Sequence, residues 1–352
     1  MKNPLSLALA LAVLLSFSGC SSEQKSTNKA EANEVTTLRF SHLWPATAMM
    51  NVEAFEPWAK RIEEESGGRL KIEIYPSATL SKPDTTYDAV AKGTVDLGVQ
   101  VPSYVNGRFP LTQVAELPGL SNSAVQMSCM LQNLYDDDVI SSEYEDTHLL
   151  FMIGSEPGTL HTIDKPIRKP NDMVGMRIRR PSAIAGEIIE AAGGSPVGLP
   201  ATDLYTSLQR GVIDGMSFPW SPTGSFKLTE IVNTHTTMPF YSSALLVTMN
   251  KDKYESLPDD LKKVIDDNSG MEMANLTAKV FDKEAAFYSE QARAKGDVMI
   301  DIPDPLNDPD WKVPLTAGTN KYLADIEALG LDSQMVYAKV KEASAACKSQ
   351  GG

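Results

Sequence analysis

The 352-residue sequence lacks both the short motifs of common enzyme sites and the basic runs of nucleic-acid binders. It contains no HExxH, GxSxG, GxGxxG or GxxxxGK[ST] motif, so catalysis has no positive support. Only 32 Lys and Arg residues oppose 46 Asp and Glu residues, which gives a net charge of −14. A duplex nucleic acid needs a basic footprint, and this composition argues against such a partner.

Histidine and cysteine are also scarce. The four histidines are dispersed along the chain: His42, His148, His161 and His235. No two of them have metal-ligand spacing on one helix, which favours hydrogen-bonded structural roles over a metal site. Two of the three cysteines, Cys129 and Cys347, lie in the body of the chain. They form either a disulfide that holds the C-terminal tail or two buried free thiols, and an oxidising compartment favours the disulfide.

Residues 1–20 have the layout of a secretory signal, with one cation followed by a short apolar run. The small residues before Cys20 resemble a bacterial lipobox, which predicts lipidation of Cys20 and attachment to a membrane surface. Ordinary signal cleavage near this position is the alternative. Residues 21–35 are polar and poor in apolar side chains, as in a flexible tether.

Strand and helix patterns alternate through the body of the chain. Residues 70–75 alternate apolar with polar side chains, residues 84–92 have the pattern of a short helix, and residues 95–101 alternate again. This strand–helix–strand order predicts a parallel sheet. The pattern returns between residues 176 and 214, and a chain of this length usually forms two domains. We therefore expect an α/β fold with two lobes.

Helical character extends from residue 259 to residue 295. A continuous helix of this length would measure about 55 Å, which is long enough to cross both lobes. Two helices broken at Gly270 are the alternative. A final helix is expected between residues 323 and 346.

Arg179 is the candidate anion-binding residue. It lies where a predicted strand ends and a helix opens at Pro181 and Ser182. Ligands of α/β proteins collect at such strand ends, and a guanidinium binds both oxygens of a carboxylate. On position alone, an alternative remains open, in which Arg177, Arg179 and Arg180 pair with surface acids.

Phe218 and Trp220 follow a predicted strand in the run Met216-Ser217-Phe218-Pro219-Trp220. They line a ligand pocket or fill the core between the lobes. Without further information, burial in the core is favoured.

The order of these segments resembles the extracytoplasmic solute receptors of tripartite ATP-independent periplasmic (TRAP) transporters, from residue 38 to about residue 341. The matching motifs are EESGGR at 64–69, YP at 75–76, GTVDLG at 93–98, RFP at 108–110, ELP at 116–118, KPI at 165–167, GMRIR at 175–179, LYTSLQ at 204–209 and GVIDG at 211–215. The resemblance implies a two-lobed periplasmic binding-protein fold, with a ligand cleft between the lobes and a long bracing helix. Lobe I is expected to comprise residues 36–156 and 242–285, and lobe II residues 157–241 and 286–352.

The resemblance also implies a function and a set of site residues. Ligand contacts of the family fall on Arg179, Phe218, His42, Trp44, Val101 and Tyr104. Such a receptor has no catalytic activity and no cofactor. It captures an organic acid in the periplasm, is expected to be a monomer, and delivers the acid to a membrane permease. His42 and Glu156 are candidate partners for hydroxyl or amino groups of the ligand.

The expected ligand is an organic acid of low polarity. Receptors for sugar acids carry a further arginine where this sequence has Thr159, so ligand hydroxyls would be poorly paired here. Trp44, Phe218 and Trp220 favour a monocarboxylate, either aromatic or branched, or a small 2-oxo or 2-hydroxy acid. A sensing module for a membrane signalling partner is the alternative function, and a secreted hydrolase is a distant third.

Overall fold

The structure is a computed structural model that describes residues 35–350. The predicted signal segment, the lipidation site Cys20 and residues 21–34 of the predicted tether lie outside the described residues. Within residues 35–350, no helix is both long enough and apolar enough to cross a membrane.

The described residues contain eleven strands. They are β1 (Thr36–Ser41), β2 (Leu70–Tyr75), β3 (Leu97–Gln100), β4 (Thr147–Gly154), β5 (Gly158–Thr162), β6 (Arg177–Arg180), β7 (Ser195–Gly198), β8 (Gly215–Phe218), β9 (Thr234–Tyr241), β10 (Ala244–Asn250) and β11 (Val298–Asp301).

Twelve α-helices connect these strands within residues 35–350. They are α1 (Glu56–Glu65), α2 (Thr86–Ala91), α3 (Pro110–Val114), α4 (Ala124–Asp136), α5 (Ala183–Ala191), α6 (Leu204–Gln209), α7 (Ser221–Ser225), α8 (Lys251–Glu255), α9 (Asp259–Asp267), α10 (Gly270–Lys295), α11 (Lys312–Ala328) and α12 (Ser333–Cys347). A short π-helical segment, Met50–Phe55, precedes α1.

The strands form two separate sheets, which confirms the expected two-lobed α/β fold. The first sheet has the order β2-β1-β3-β10-β4, and the second has the order β11-β9-β5-β8-β6-β7. In the first, β1 runs parallel to β2 and β3, as the strand–helix–strand pattern predicts. In the second, β6 runs parallel to β7 and β8. We use lobe I for the first sheet with its helices and lobe II for the second.

The chain crosses between the sheets three times: at residues 155–157, at residues 242–243, and through residues 251–297 between β10 and β11. The first two crossings are joined by hydrogen bonds. The backbone N–H of Ser155 donates to the carbonyl oxygen of Ser243 at 2.9 Å, and the N–H of Ser243 donates to the Ser155 hydroxyl at 2.9 Å. These bonds place the two connections side by side. The exact lobe boundaries given above stay a prediction.

The long helical region is two helices, as the alternative interpretation holds. Helix α9 ends at Asp267 and α10 begins at Gly270, whose φ of +64° suits glycine. The 26 residues of α10 extend about 39 Å. This helix packs against α4 and β4 of lobe I and against α7 of lobe II, so it braces both lobes.

Neighbouring acidic residues of α10 bind different lobes. The Asp282 carboxylate accepts hydrogen bonds from the N–H groups of Ala124 and Val125, at the positive end of α4, at 2.8 and 3.2 Å. Two positions later, Glu284 accepts a hydrogen bond from the Ser225 hydroxyl of α7 at 2.7 Å. A single rigid helix therefore holds polar contacts to both sheets.

One expectation about the C-terminal region is wrong. The single helix expected at residues 323–346 is the pair α11 and α12, because Gly330 adopts a φ of +82° that ends the first helix. Helix α12 packs on α4 of lobe I, whereas residues 286–352 are expected in lobe II. The reason is apolar packing, since Val336 and Val340 on α12 are buried.

A disulfide joins Cys129 of α4 to Cys347 of α12 and closes a loop with a sequence separation of 218 residues. Such a cross-link restricts the unfolded chain, and a native disulfide typically contributes about 2–4 kcal/mol of stability. We predict that the double variant Cys129→Ser/Cys347→Ser unfolds at lower urea concentration by an amount in that range. Dithiothreitol should destabilise the parent protein equally and leave the variant unchanged; equal urea midpoints for parent and variant would contradict the prediction.

The buried carboxyl of Glu116 is expected to make the stability of the folded protein depend on pH. Its side chain is fully buried, it accepts a hydrogen bond from the Ala244 N–H at 2.9 Å beside the second crossing, and burial raises its pKa to about 8. The folded state therefore keeps a proton that the unfolded chain releases near pH 4.5. Stability from this group is complete below about pH 4.5 and is lost as the pH rises towards 8.

We predict that Glu116→Gln, which cannot lose this proton, flattens the fall in melting temperature between pH 5 and pH 8.5 by roughly 2–6 °C. Thermal melts monitored by circular dichroism at several pH values measure the effect. The exposed variant Glu290→Gln is the matched control and should retain the parental slope. A parental slope in Glu116→Gln would show that the buried group does not carry the proton.

Candidate ligand-binding site

Arg179 lies at the carboxyl end of β6, between two parallel neighbours. It pairs in register with Val197 of β7 and Met216 of β8, and its side chain is fully buried. Ser182 then caps α5 by accepting a hydrogen bond from the Ala185 N–H at 3.2 Å. The strand end and the helix start therefore fix the guanidinium at the position that the sequence predicts for an anion site.

Three protein oxygens orient the Arg179 guanidinium. Nε donates to the Leu199 carbonyl at 2.8 Å, Nη1 to the Ser217 carbonyl at 3.1 Å, and Nη2 to the Tyr104 hydroxyl at 3.0 Å. A guanidinium has five N–H bonds, so one remains on each terminal nitrogen. These two N–H groups match the two oxygens of a carboxylate.

No carboxylate neutralises Arg179 within the described part of the chain. The ion pairs of residues 35–350 involve other arginines, such as Arg177 with Asp214 at 2.7 Å. An uncompensated buried charge is costly, and a protein retains one where a ligand supplies the opposite charge.

Tyr104 has an unused proton beside this guanidinium. Its hydroxyl oxygen accepts hydrogen bonds from Arg179 and from the Ala201 N–H at 3.1 Å. Both lone pairs are therefore occupied, which leaves the phenolic hydrogen for another acceptor. Tyr104 follows β3 of lobe I, whereas Arg179 and Ala201 belong to lobe II, so these bonds also join the two lobes.

A mostly apolar cavity adjoins Arg179. The cavity has a volume of about 50 Å³. On the same scale, one water molecule needs roughly 10–15 Å³, so the cavity has room for more than one. We call it the inner cavity. Its aromatic lining consists of Trp44, Tyr104, Phe218, Phe226, Tyr241 and Phe281, and its small polar lining of Ser155, Ser221 and Ser243. Arg179 is the one charged side chain among the described residues that line it.

Comparison with known proteins identifies the family. The profile described as "Bacterial extracellular solute-binding protein, family 7" (DctP) matches residues 40–313. A solved TRAP solute-binding protein from a marine metagenome is 33% identical, with a TM-score of 0.83 over 89% of this chain and 98% of its own. Its description calls it specific for aromatic acid ligands, and it is bound to 3-hydroxybenzoate.

Two further relatives are also solute-binding proteins. A TRAP solute-binding protein from Rhodoferax ferrireducens, bound to copurified benzoate, is 28% identical, with a TM-score of 0.85 over 90% of this chain and all of its own. A curated solute-binding protein of Albidiferax ferrireducens is 26% identical over 77% of this chain and 82% of its own. The chain belongs to extracellular solute-binding protein family 7. It is a solute receptor of the TRAP type.

The receptor brings five of the predicted ligand contacts together around the inner cavity. They are Arg179, Phe218, Trp44, Val101 and Tyr104. The Arg179 guanidinium carbon lies 5.2 Å from the centre of the Phe218 ring and 5.9 Å from that of the Tyr104 ring. Both rings therefore contribute cation–π attraction to a guanidinium that forms no ion pair with any residue the structure describes.

His42 does not line the inner cavity. Its Nε2 atom forms a hydrogen bond of 2.9 Å with the Asn51 side chain, and its ring lies beside Phe55, 5.2 Å between centroids. Burial lowers the pKa of His42 to about 4, so the ring is neutral. It packs 6.0 Å from the Trp44 ring and thereby supports a residue that does line the cavity.

Glu156, Thr159 and Trp220 also lie outside the inner cavity. Glu156 accepts hydrogen bonds from the N–H of Ser221 at 2.7 Å and from its hydroxyl at 3.1 Å, and burial raises the pKa of its carboxyl to about 8. Thr159 donates a hydrogen bond to the Thr236 carbonyl. These side chains build the lobe connections and the core of lobe II rather than the ligand contact surface.

Trp220 packs against two histidines that are far apart in the sequence but adjacent in the fold. His161 and His235 face each other on β5 and β9, with 2.7 Å between their Nδ1 atoms. The Trp220 ring lies 4.7 Å from the His161 ring and 4.6 Å from the His235 ring. The pair has the hydrogen-bonded role expected of these histidines, and no cluster of three metal-ligating residues exists among residues 35–350.

Sequence reasoning missed Tyr241, Phe226 and Phe281, which complete the aromatic lining. Tyr241 pairs in register with Gly158, where an added Cβ would lie 2.1 Å from the tyrosine ring. Tyr241 is the last residue of β9, directly before the lobe connection. Strand ends beside such a connection face the cleft, and this position could have indicated a role in the cavity lining. Phe226 directly follows α7 and Phe281 lies within α10, and neither gave a comparable signal.

Proposed function

We propose that this TRAP receptor captures an aromatic or similarly apolar monocarboxylate and delivers it to a membrane permease. The observation that carries the proposal is the buried Arg179 guanidinium, which has two free N–H groups and no protein carboxylate. The ligand carboxylate supplies the missing charge in a bidentate pair.

The lining of the inner cavity supports the ligand class. Six aromatic rings surround the space beyond the carboxylate, and no second cation lies among its described lining residues. A second carboxylate or several sugar hydroxyls would be left without strong partners there. Similar receptors are described with 3-hydroxybenzoate, benzoate and mandelate, which are aromatic monocarboxylates.

We propose further that the mature receptor is a periplasmic monomer held at a membrane surface through lipidated Cys20. The support is the sequence of the leader, in which a short apolar run precedes small residues and Cys20. The polar residues that follow give the tether the reach to present a loaded receptor to a permease.

Substitution of Arg179 tests the proposal. We predict that Arg179→Lys loses about 2–5 kcal/mol of binding free energy for 3-hydroxybenzoate, because a point charge cannot replace the planar fork. Isothermal titration calorimetry of both proteins measures the loss. The matched control is Arg177→Lys on the same strand, whose parent side chain forms an exposed ion pair with Asp214.

The control variant should bind 3-hydroxybenzoate as the parent does. Retained affinity in Arg179→Lys would refute the role of Arg179. Tight binding of a sugar acid such as glucuronate by the parent, with no binding of benzoate, 3-hydroxybenzoate or mandelate, would refute the ligand class.

Tyr104 provides a second test of the same site. We predict that Tyr104→Phe weakens binding of 3-hydroxybenzoate roughly 10- to 100-fold, since the phenolic proton and the bonds to Arg179 and Ala201 are lost. Tyr205→Phe is the control, because among the described residues its hydroxyl forms one hydrogen bond, an exposed one to Glu230 at 3.3 Å. Equal affinities for Tyr104→Phe and the parent would show that the phenol donates no bond to the ligand.

A further inference from the structure

A second, larger chamber lies beside the inner cavity and shares two of its walls. The outer chamber has a volume of about 300 Å³, on the same measure that gives about 50 Å³ for the inner cavity. Its lining consists of Asp84, Ser103, Tyr104, Asn106, Arg180, Pro181, Gly198, Leu199 and Pro200. Tyr104 and Pro181 line both spaces, so the two lie next to each other.

The outer chamber contains a cation without a partner. Arg180 is half-buried, and its guanidinium forms neither an ion pair nor a hydrogen bond with any described residue. Gly198 lies next to this guanidinium. A Cβ added at Gly198 would lie 3.5 Å from Nη2 of Arg180. The guanidinium therefore has room to accept a small group from the chamber.

Ser103 supplies a second, independent indication of a ligand. The residue lines the outer chamber, is 5% exposed, and its hydroxyl has no hydrogen-bond partner among the described residues. Buried hydroxyls are almost always paired, so the Ser103 hydroxyl is available to a water molecule or an anion that enters the chamber. Ser103 belongs to lobe I and Arg180 to lobe II, which places the two donors on opposite sides of the cleft.

The charge of the chain makes such a site useful. The net charge of −14 repels an approaching carboxylate, and the screening length at physiological salt is about 8 Å. Among the described residues that line the chamber, Arg180 is the one cation and Asp84 the one carboxylate, and the two form no ion pair, so the half-buried guanidinium stays available to an entering anion. Asp84 and Asn106 are exposed, so the outer chamber reaches solvent on one side, whereas Arg179 is fully buried.

We propose that Arg180 and Ser103 form an outer anion site that holds the ligand carboxylate before it passes Tyr104 to reach Arg179. The capture step rests on the proposed function, because it assumes an anionic ligand at Arg179. The anion site itself does not depend on the ligand class, and the two are tested separately.

Crystals soaked in sodium bromide test the anion site. An anomalous peak in contact with the Arg180 guanidinium and the Ser103 hydroxyl is expected in the parent protein and in Arg179→Ala. The peak should disappear in Arg180→Gln. A parent map without this peak, or a peak that persists in Arg180→Gln, would overturn the site.

Stopped-flow kinetics test the capture step, with Trp44 in the inner cavity as the fluorescent reporter. Arg180→Gln should slow association of 3-hydroxybenzoate roughly threefold to tenfold at low ionic strength, with the difference shrinking as salt is added. The dissociation rate should stay unchanged, because the final contacts are made at Arg179. The exposed variant Arg210→Gln removes the same charge elsewhere and should associate at the parental rate.

An unchanged association rate in Arg180→Gln, or a faster dissociation instead, would overturn the capture role. Equal slowing in Arg210→Gln would reduce the effect to net charge and overturn it as well. Failure of the parent to bind 3-hydroxybenzoate contradicts the ligand class proposed above. In that case, the bromide maps still decide whether the outer anion site exists.

Discussion

The structure depends on a buried arginine that has no counter-charge among residues 35–350. Arg179 is fully buried, and the oxygens of Leu199, Ser217 and Tyr104 fix its direction without neutralising it. Neutral oxygens leave most of the cost of burying the charge uncompensated, so a bound carboxylate gains a large electrostatic advantage. Since one of the three oxygens comes from lobe I, the same guanidinium links ligand capture to the contact between the lobes.

The lobe connections are built so that no protein anion competes for this charge. Glu116 contacts the second crossing and Glu156 belongs to the first, and burial raises the pKa of each carboxyl to about 8. Both groups are therefore largely uncharged at neutral pH. Glu116 accepts the N–H of Ala244 just after the second crossing, and Glu156 accepts the N–H of Ser221 at the start of α7, without placing a negative charge near Arg179. Protonated acids can thus hold the connections together while the guanidinium stays available to a ligand.

How much the sequence could predict depends on how local each feature is. The place of Arg179 at a strand end before a capped helix was predictable from local pattern, but that pattern left pairing with surface acids open, and the family resemblance favoured the ligand-binding role. The two sheets followed from period-two alternation, which is also a local property. The role of Trp220 was not predictable, since its neighbours His161 and His235 are 74 residues apart and meet only through the register of β5 and β9. The placement of α12 on lobe I likewise depends on side-chain packing between distant segments.

Consecutive arginines on one strand explain how an acidic receptor can attract an acid. Side chains alternate between the two faces of a strand, so Arg179 and Arg180 point to opposite sides of β6. One lines the aromatic inner cavity and the other the polar outer chamber, with Tyr104 between the two spaces. Positive charge is thereby concentrated beside the outer chamber and the inner cavity. The protein as a whole keeps the net negative charge that opposes association with nucleic acid. Ser103 and Tyr104 are adjacent in lobe I, and both arginines lie in lobe II, so the two anion contacts depend on the same arrangement of the lobes.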